Sequence, residues 1–147
     1  MKRLLKHAFM GLIVVFMISG CSLFGEVNNT LDYANQAQEH INTLTQFAEE
    51  VPPMLSEALV DPQVKEDVQN KLVNIQKDIE SFQNIEVPSV AESIHQELEE
   101  KNNLILNEIQ KYTEQGELAI EEIQQSELFT TIRDLQSLMN QIENLGL

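Results

Sequence analysis

Residues 61–82 read DPQVKEDVQNKLVNIQKDIESF, and the spacing within this stretch decides the fold class. Asp61 and Pro62 supply a carboxylate for an N-cap and a proline for the first helical position. The apolar side chains that follow recur at steps of three or four residues, as on one face of an α-helix: Val64, Val68, Leu72, Ile75, Ile79 and Phe82. The stretch therefore predicts an amphipathic helix that begins at Pro62.

Three other segments, 27–48, 90–112 and 128–145, carry apolar side chains at the same spacing. Strict alternation of apolar and polar residues, which indicates a strand, occurs in none of them. Pro52-Pro53 interrupts the first segment, and Ser126 is a candidate N-cap for the last. We therefore expect an all-α fold, an antiparallel bundle of about four amphipathic helices.

The third of these segments contains one irregularity. Between Leu98 and Ile105 a helical turn passes without an apolar residue, and the position that should be apolar falls on Lys101 or Asn102. A polar residue at a core position can fix the register of a bundle at some cost in stability. Alternatively, Leu104 turns inward and Asn102 faces water, and this second arrangement is our expectation.

A secretion signal precedes the helical segments. Three basic residues among the first six are followed by an uncharged run over residues 8–18, about half the length that a membrane-spanning helix needs. The run ends in Ile18-Ser19-Gly20-Cys21, which resembles the bacterial lipobox. That resemblance implies a cleaved lipoprotein signal peptide and a lipidated Cys21 that carries acyl chains such as palmitate. The alternatives are an ordinary cleaved signal with a chance cysteine, or an uncleaved N-terminal anchor.

The anchor sets the domain organisation that we expect. Residues 1–20 form the cleaved signal peptide, residues 21–26 a lipidated tether, and residues 27–147 the helical bundle domain. Two acyl chains make anchoring close to permanent, at about 0.8 kcal/mol per buried CH₂. The first expected partner is thus the lipid bilayer, reached through acylated Cys21. The expected location is the extracytoplasmic face of the cell membrane.

The mature chain is strongly acidic. Residues 1–20 contain three of the nine Lys and Arg residues and none of the 24 Asp and Glu residues, which leaves a net charge of −18 on 127 residues. Such a field repels nucleic acid and anionic lipid, and the scarcity of aromatic residues leaves few side chains that could stack on bases. We therefore expect no nucleic-acid partner.

No residue pattern predicts a catalytic, cofactor-binding or metal site. Glu92 and His95 have the Glu-x-x-His spacing of di-iron bundle proteins, with Glu99 one turn further on, but that chemistry needs a second Glu-x-x-His pair. His40, the other histidine of the mature chain, has no glutamate three residues before it. Glu92, His95 and Glu99 also lie beside the apolar stripe of their helix, so we expect them in solvent. The sequence motifs of esterases, zinc proteases and P-loop proteins do not occur either.

Most of the chain resembles one family. Residues 27–37, VNNTLDYANQA, together with Gly20-Cys21-Ser22, are similar to a family of small, uncharacterised lipoproteins of bacilli, and the likeness continues in residues 61–62, 87–95 and 126–138. The resemblance implies a Gram-positive host, and hence the outer leaflet of the cytoplasmic membrane, facing the wall. It implies no assigned activity and no defined binding residues.

A lipid anchor, a simple bundle and the lack of any site motif favour a non-enzymatic, membrane-anchored extracytoplasmic lipoprotein. We expect it to act as an interaction or spacer module at the cell envelope, with an envelope protein as its further partner. The alternative is an accessory lipoprotein that binds a metal ion or a small solute through its acidic helices.

Overall fold

The computed structural model describes residues 21–113 and 118–145, with side chains described from Val27 onward. These ranges contain the helices α1 (Cys21–Ala58), α2 (Pro62–Phe82), α3 (Glu92–Thr113), α4 (Ile120–Gln125) and α5 (Leu128–Leu145), and a 3₁₀ turn at Ser89–Ala91 leads into α3. Because the same ranges contain no strand and four of the helices are long, the predicted all-α bundle is confirmed. The predicted signal peptide, residues 1–20, lies outside the described residues. Of the helices just named, none has the length and apolar character needed to cross a bilayer.

The helix predicted to begin at Pro62 does so. The Asp61 carboxylate accepts hydrogen bonds from the backbone N–H groups of Gln63 at 2.8 Å and Val64 at 3.4 Å, and thereby satisfies two donors that the first helical turn leaves free. Burial of an aliphatic or aromatic side chain contributes about 1.5–3 kcal/mol, so the apolar face of α2 supplies much of its stability. Its buried members are Val68, Leu72, Ile75, Ile79 and Phe82.

Pro52 and Pro53 do not interrupt the first helix, and this prediction is wrong. α1 continues through both prolines to Ala58. The prolines remove two backbone donors to the preceding turn, which is a local cost. The apolar face nevertheless continues beyond them, since Val51, Leu55 and Ala58 are buried. Tertiary packing of this face overrides the local helix-breaking tendency of proline.

α1 also begins earlier than predicted. Its backbone is helical from Cys21, so residues 21–26, predicted as a lipidated tether, extend the first helix of the bundle. Their lipidation stays a prediction. At 1.5 Å per residue, the 38 residues of α1 span about 57 Å. The other long helices have 18 to 22 residues each, so α1 is the longest of the described helices.

The four long helices pack around one core. α1 packs against α2 and α5, and α3 packs against α5 and, less closely, against α2. α1 and α3 face each other across the core and run in the same direction, because Tyr33 meets His95 and His40 meets Asn102, both at a separation of 62 residues. α2 and α5 run in the opposite direction, which gives the antiparallel arrangement between neighbours.

The last long helix has the predicted start and the predicted face. Ser126 Oγ accepts a hydrogen bond from the backbone N–H of Leu128 at 3.4 Å, so Ser126 caps α5 as expected. The buried face of α5 follows the three-and-four spacing and consists of Leu128, Phe129, Ile132, Leu135, Leu138 and Ile142.

Candidate functional site

Polar residues enter the core where α1, α2 and α3 meet. A step of seven residues places Tyr33 and His40 on the inward face of α1, and the same step places His95 and Asn102 on the inward face of α3. All four side chains are buried. Asp78 of α2 reaches this group from its half-buried position. We call Tyr33, His40, Asp78, His95 and Asn102 the polar seam.

His40 is the centre of the polar seam. Its Nδ1 lies 2.6 Å from Oδ2 of Asp78, and its Nε2 lies 3.0 Å from Oδ1 of Asn102. Each ring nitrogen thus has an oxygen partner, one on α2 and one on α3, so the single side chain of His40 joins three helices. The side chain of Asp78 is 32% exposed, so this pair connects the core to the surface.

Within the described part of the chain, Asn102 uses only one of its two polar side-chain atoms. In the observed orientation Oδ1 accepts from His40, and Nδ2 is buried without a hydrogen-bond partner among the described residues. An unsatisfied buried donor costs about 1–3 kcal/mol. A half-turn of the amide would exchange Oδ1 and Nδ2, so Asn102 can either accept from the ring of His40 or donate to it, according to the tautomer of the ring.

His95 has different hydrogen-bond partners. The hydroxyl of Tyr33 lies 3.3 Å from Nδ1 of His95, and both side chains are buried. Burial lowers the pKa of His95 below its usual value; the Glu99 carboxylate, 3.6 Å from Nε2, opposes this shift, and the charge of His40 adds to it. Burial, aided by the charge of Glu99, also raises the pKa of Tyr33 to about 12. The two histidines therefore have different nearest partners within one core, a carboxylate for His40 and a phenol hydroxyl for His95.

Phe82 of α2 lies between the two histidines. Its ring stacks on His40 with centroids 4.1 Å apart and planes 6° from parallel, and it contacts His95 at 5.4 Å with a tilt of 40°. The stacking holds the His40 ring flat against Phe82. Phe82 thus completes the packing of three helices around the seam.

A cleft of about 260 Å³ opens beside the His40–Asp78 pair. Two carboxylates next to an aromatic ring give the cleft a negative potential, which favours a small cation over an anion. Besides the pair itself, the lining consists of Gln36, Glu39, Ser81, Phe82 and Ile85. Nε2 of His40 is bonded to Asn102 inside the core, so the ring presents no free basic nitrogen to a molecule in the cleft.

Two predictions about this region are wrong. Asn102 is fully buried and Leu104 is 50% exposed, whereas we expected the reverse, and His95, which we expected in solvent, is 7% exposed. The cause is the alternation of three-residue and four-residue steps along α3. Starting from buried Leu98 and Ile105, this alternation requires residues 95 and 102 in the core and leaves residue 104 outside.

Sequence reasoning also missed Tyr33, His40 and Asp78. One signal could have found His40. It follows Tyr33 by seven residues, and Asn102 follows His95 by the same seven residues. Asp78 carries no such signal, since it lies outside the apolar stripe of α2 and enters the seam only through tertiary packing. Glu92 is exposed, as expected. Within residues 27–113 and 118–145, no three or more His, Cys, Asp or Glu side chains are grouped so that they could hold a metal ion.

Comparison with known proteins matches the chain to one family. The model of a family of unknown function (DUF6376) matches residues 33–145, a range that contains the whole seam. The uncharacterised lipoprotein YybP of Bacillus subtilis (strain 168) is 31% identical over 130 residues, which are 86% of this chain and 88% of that protein. No solved structure matches the chain. The likeness to small lipoproteins of bacilli that we inferred from the sequence is thereby confirmed.

Proposed function

From the premise that this chain belongs to the family of unknown function DUF6376, we propose that it is a lipoprotein anchored at the extracytoplasmic face of the cell membrane. It acts there without catalysing a reaction, as an interaction or spacer module of the envelope. Support comes from the position of Cys21 directly after a signal-like segment and from the name of its relative, an uncharacterised lipoprotein.

The observation that carries the proposal is the unbroken course of α1. Cys21, the residue that the lipid would modify, begins the helix, and Ala58 ends it about 57 Å away. A helix holds its two ends at a set distance more firmly than a flexible linker does. Acylation of Cys21 would therefore hold the connection at residues 59–61 away from the bilayer, and the charge of −18 would favour the same orientation beside anionic lipid.

The anchor is tested by feeding an alkyne-tagged fatty acid to a Gram-positive host that expresses the full chain. We expect label on the wild type and on the matched control Ser22→Ala, and none on Cys21→Ser. Protease added to intact protoplasts should degrade the bundle, because it lies outside the membrane. Label that survives Cys21→Ser, or a bundle that is protected in intact protoplasts, would contradict the proposal.

The interaction role is tested by proximity labelling in the envelope. A peroxidase fused after Leu147 would label neighbours of the bundle, and the same enzyme fused directly to residues 1–26 serves as the control with an equal anchor. We expect envelope proteins that are enriched with the bundle and not with the control. An identical pattern from both fusions would argue against an interaction role and leave the spacer role.

The cleft beside His40 and Asp78 favours a second candidate function, an accessory lipoprotein that binds a metal ion or a small cationic solute. Calorimetry with calcium, zinc and iron tests it on the full chain. Saturable binding that Asp78→Asn abolishes and Glu80→Gln retains would support this function, because each variant removes one carboxylate from α2. Weak binding that falls equally in both variants would reflect only the general acidic field.

A further inference from the structure

We propose that the connection between α1 and α2, together with the cleft beside it, docks a polypeptide segment that is apolar at its centre and flanked by lysine or arginine. The inference rests on the proposed function, since it assigns a surface and a partner class to the interaction module. We call the exposed pair Leu59 and Val60, together with the adjoining cleft that Leu59 lines, the apolar tip.

The apolar tip exposes two large apolar residues in succession. Val60 is 84% exposed and Leu59 is 51% exposed. Val60 has the greatest exposure of the large apolar side chains described in residues 27–113 and 118–145. Exposed apolar side chains placed together, rather than scattered singly, indicate an interaction site.

The turn that carries these residues is held by hydrogen bonds. The backbone N–H groups of Val60 and Asp61 both donate to the carbonyl oxygen of Glu57, at 3.0 Å and 2.9 Å. The Asp61 side chain then caps α2. A surface that is already ordered loses little conformational freedom when it binds, so more of its contact energy appears as affinity.

A cleft of about 290 Å³ adjoins the turn, between the end of α1, the start of α2 and α4. Leu59 lines it with an exposed side chain, and Leu118 and Ile120 line it with side chains that are almost fully buried. The amide of Gln124 donates to Ser56 Oγ at 3.4 Å and ties α4 to α1 beside this opening. The cleft thus offers a recess with both apolar and charged walls next to an apolar projection, which suits a partner segment that carries apolar and basic side chains together.

Carboxylates surround the apolar tip and select the charge of the partner. Glu121 and Glu122 line the cleft, and Lys65 contributes a basic side chain to the same lining. Glu57 is exposed two residues before Leu59. Acidic groups around an apolar centre complement basic groups around an apolar centre. The net charge of the mature chain, −18, opposes a second copy as the occupant.

The test measures peptide binding by fluorescence anisotropy with the full chain, purified from whichever cell fraction contains it. One probe is a labelled peptide of leucine and lysine, and the other is a glycine and lysine peptide of equal charge. We expect Leu59→Ser/Val60→Ser to weaken binding of the leucine-containing probe about tenfold or more, as loss of one to two buried apolar side chains implies. The matched control Val73→Ser, which alters an exposed valine of α2, should bind as the wild type does, and the lysine-glycine probe should not distinguish the proteins.

The outcomes separate this inference from the others. Equal affinity of all variants would mean that charge alone governs binding, and it would overturn the proposal. A wild-type dimer that dissociates in the tip variant, measured by sedimentation, would assign the surface to a second copy and overturn it as well. If the double variant fails to fold, Val60→Ser alone carries the same comparison. Because purification does not depend on where the chain resides, failure of lipid anchoring would leave the result of this experiment unchanged.

Discussion

The half of the bundle nearer Cys21 and the half nearer the apolar tip use different chemistry in the same core. Near Cys21, the helices α1, α2 and α3 meet through the polar seam. Towards the tip, α1 and α5 meet through Phe47 and Phe129, whose ring centroids are 5.9 Å apart, and through buried aliphatic side chains. Apolar contacts tolerate several alignments of two helices, whereas His40 finds both its partners in one alignment only. The comparison indicates that apolar packing in the half near the tip contributes mainly stability, whereas the polar seam near Cys21 sets the alignment of the helices along one another.

The largest expected effect lies in the apolar half. Leu72→Ala removes a fully buried side chain of α2 and should lower the free energy of unfolding by about 2–5 kcal/mol. Urea denaturation of the full chain measures it. Val73→Ala, at the neighbouring 37% exposed position, is the control and should change stability by less than about 1 kcal/mol. Equal losses in the two variants would show that this half does not rest on core packing.

A smaller effect should follow from changes in the polar seam. His40→Leu leaves the buried Asn102 amide without its partner, and Asn102→Leu leaves Nε2 of His40 without one, so each should cost about 1–3 kcal/mol. The double variant removes both members of the pair and should cost less than the two single changes added together, by about 0.5–3 kcal/mol. Asn103→Leu, at an exposed neighbouring position, is the control. Additive losses would mean that the seam contributes by packing and not by pairing.

The smallest expected effect is a dependence of stability on pH that belongs to His95. Burial lowers its pKa in the folded state, so the unfolded chain takes up a proton at higher pH than the folded chain does. The stability that neutral His95 contributes is therefore present above its ordinary pKa of 6.5, and it is lost as pH falls from 6.5 towards the lower folded pKa.

Comparison of wild type with His95→Gln isolates this contribution. The titratable groups that act on His95 are Tyr33 and His40 on α1 and Glu99 on α3. Asp78 of α2 contacts His40, and all four groups remain in the variant. Urea unfolding at pH 7.5 and pH 5.5 should show a smaller loss of stability on acidification in His95→Gln. A larger loss in the variant would mean that the folded state favours the charged imidazole.

The sequence was enough to predict the helices but not the content of their core. The apolar spacing of residues 64–82 and the Asp61 cap are local features, and local physics places α2 correctly. Pro52 and Pro53 misled us because their effect on the chain is local, whereas the packing that overrides it is tertiary. His40 was missed, and Asn102 was expected in water, because we traced the buried face of each helix through apolar residues. Polar side chains become core residues only when partners from other helices satisfy them.

The equal separation of the two α1–α3 contacts sets a rule for changes in chain length. One residue inserted between Tyr33 and His40 would rotate the following part of α1 by about 100° and break the pairing of one contact while the other is kept. A residue inserted among residues 83–87, in the connection from α2 to α3, would lengthen both separations equally and leave both contacts intact. Insertions and deletions should thus be tolerated in this connection singly, and in α1 and α3 only as matched heptads. What the fold preserves is the equality of the two separations and not the number 62.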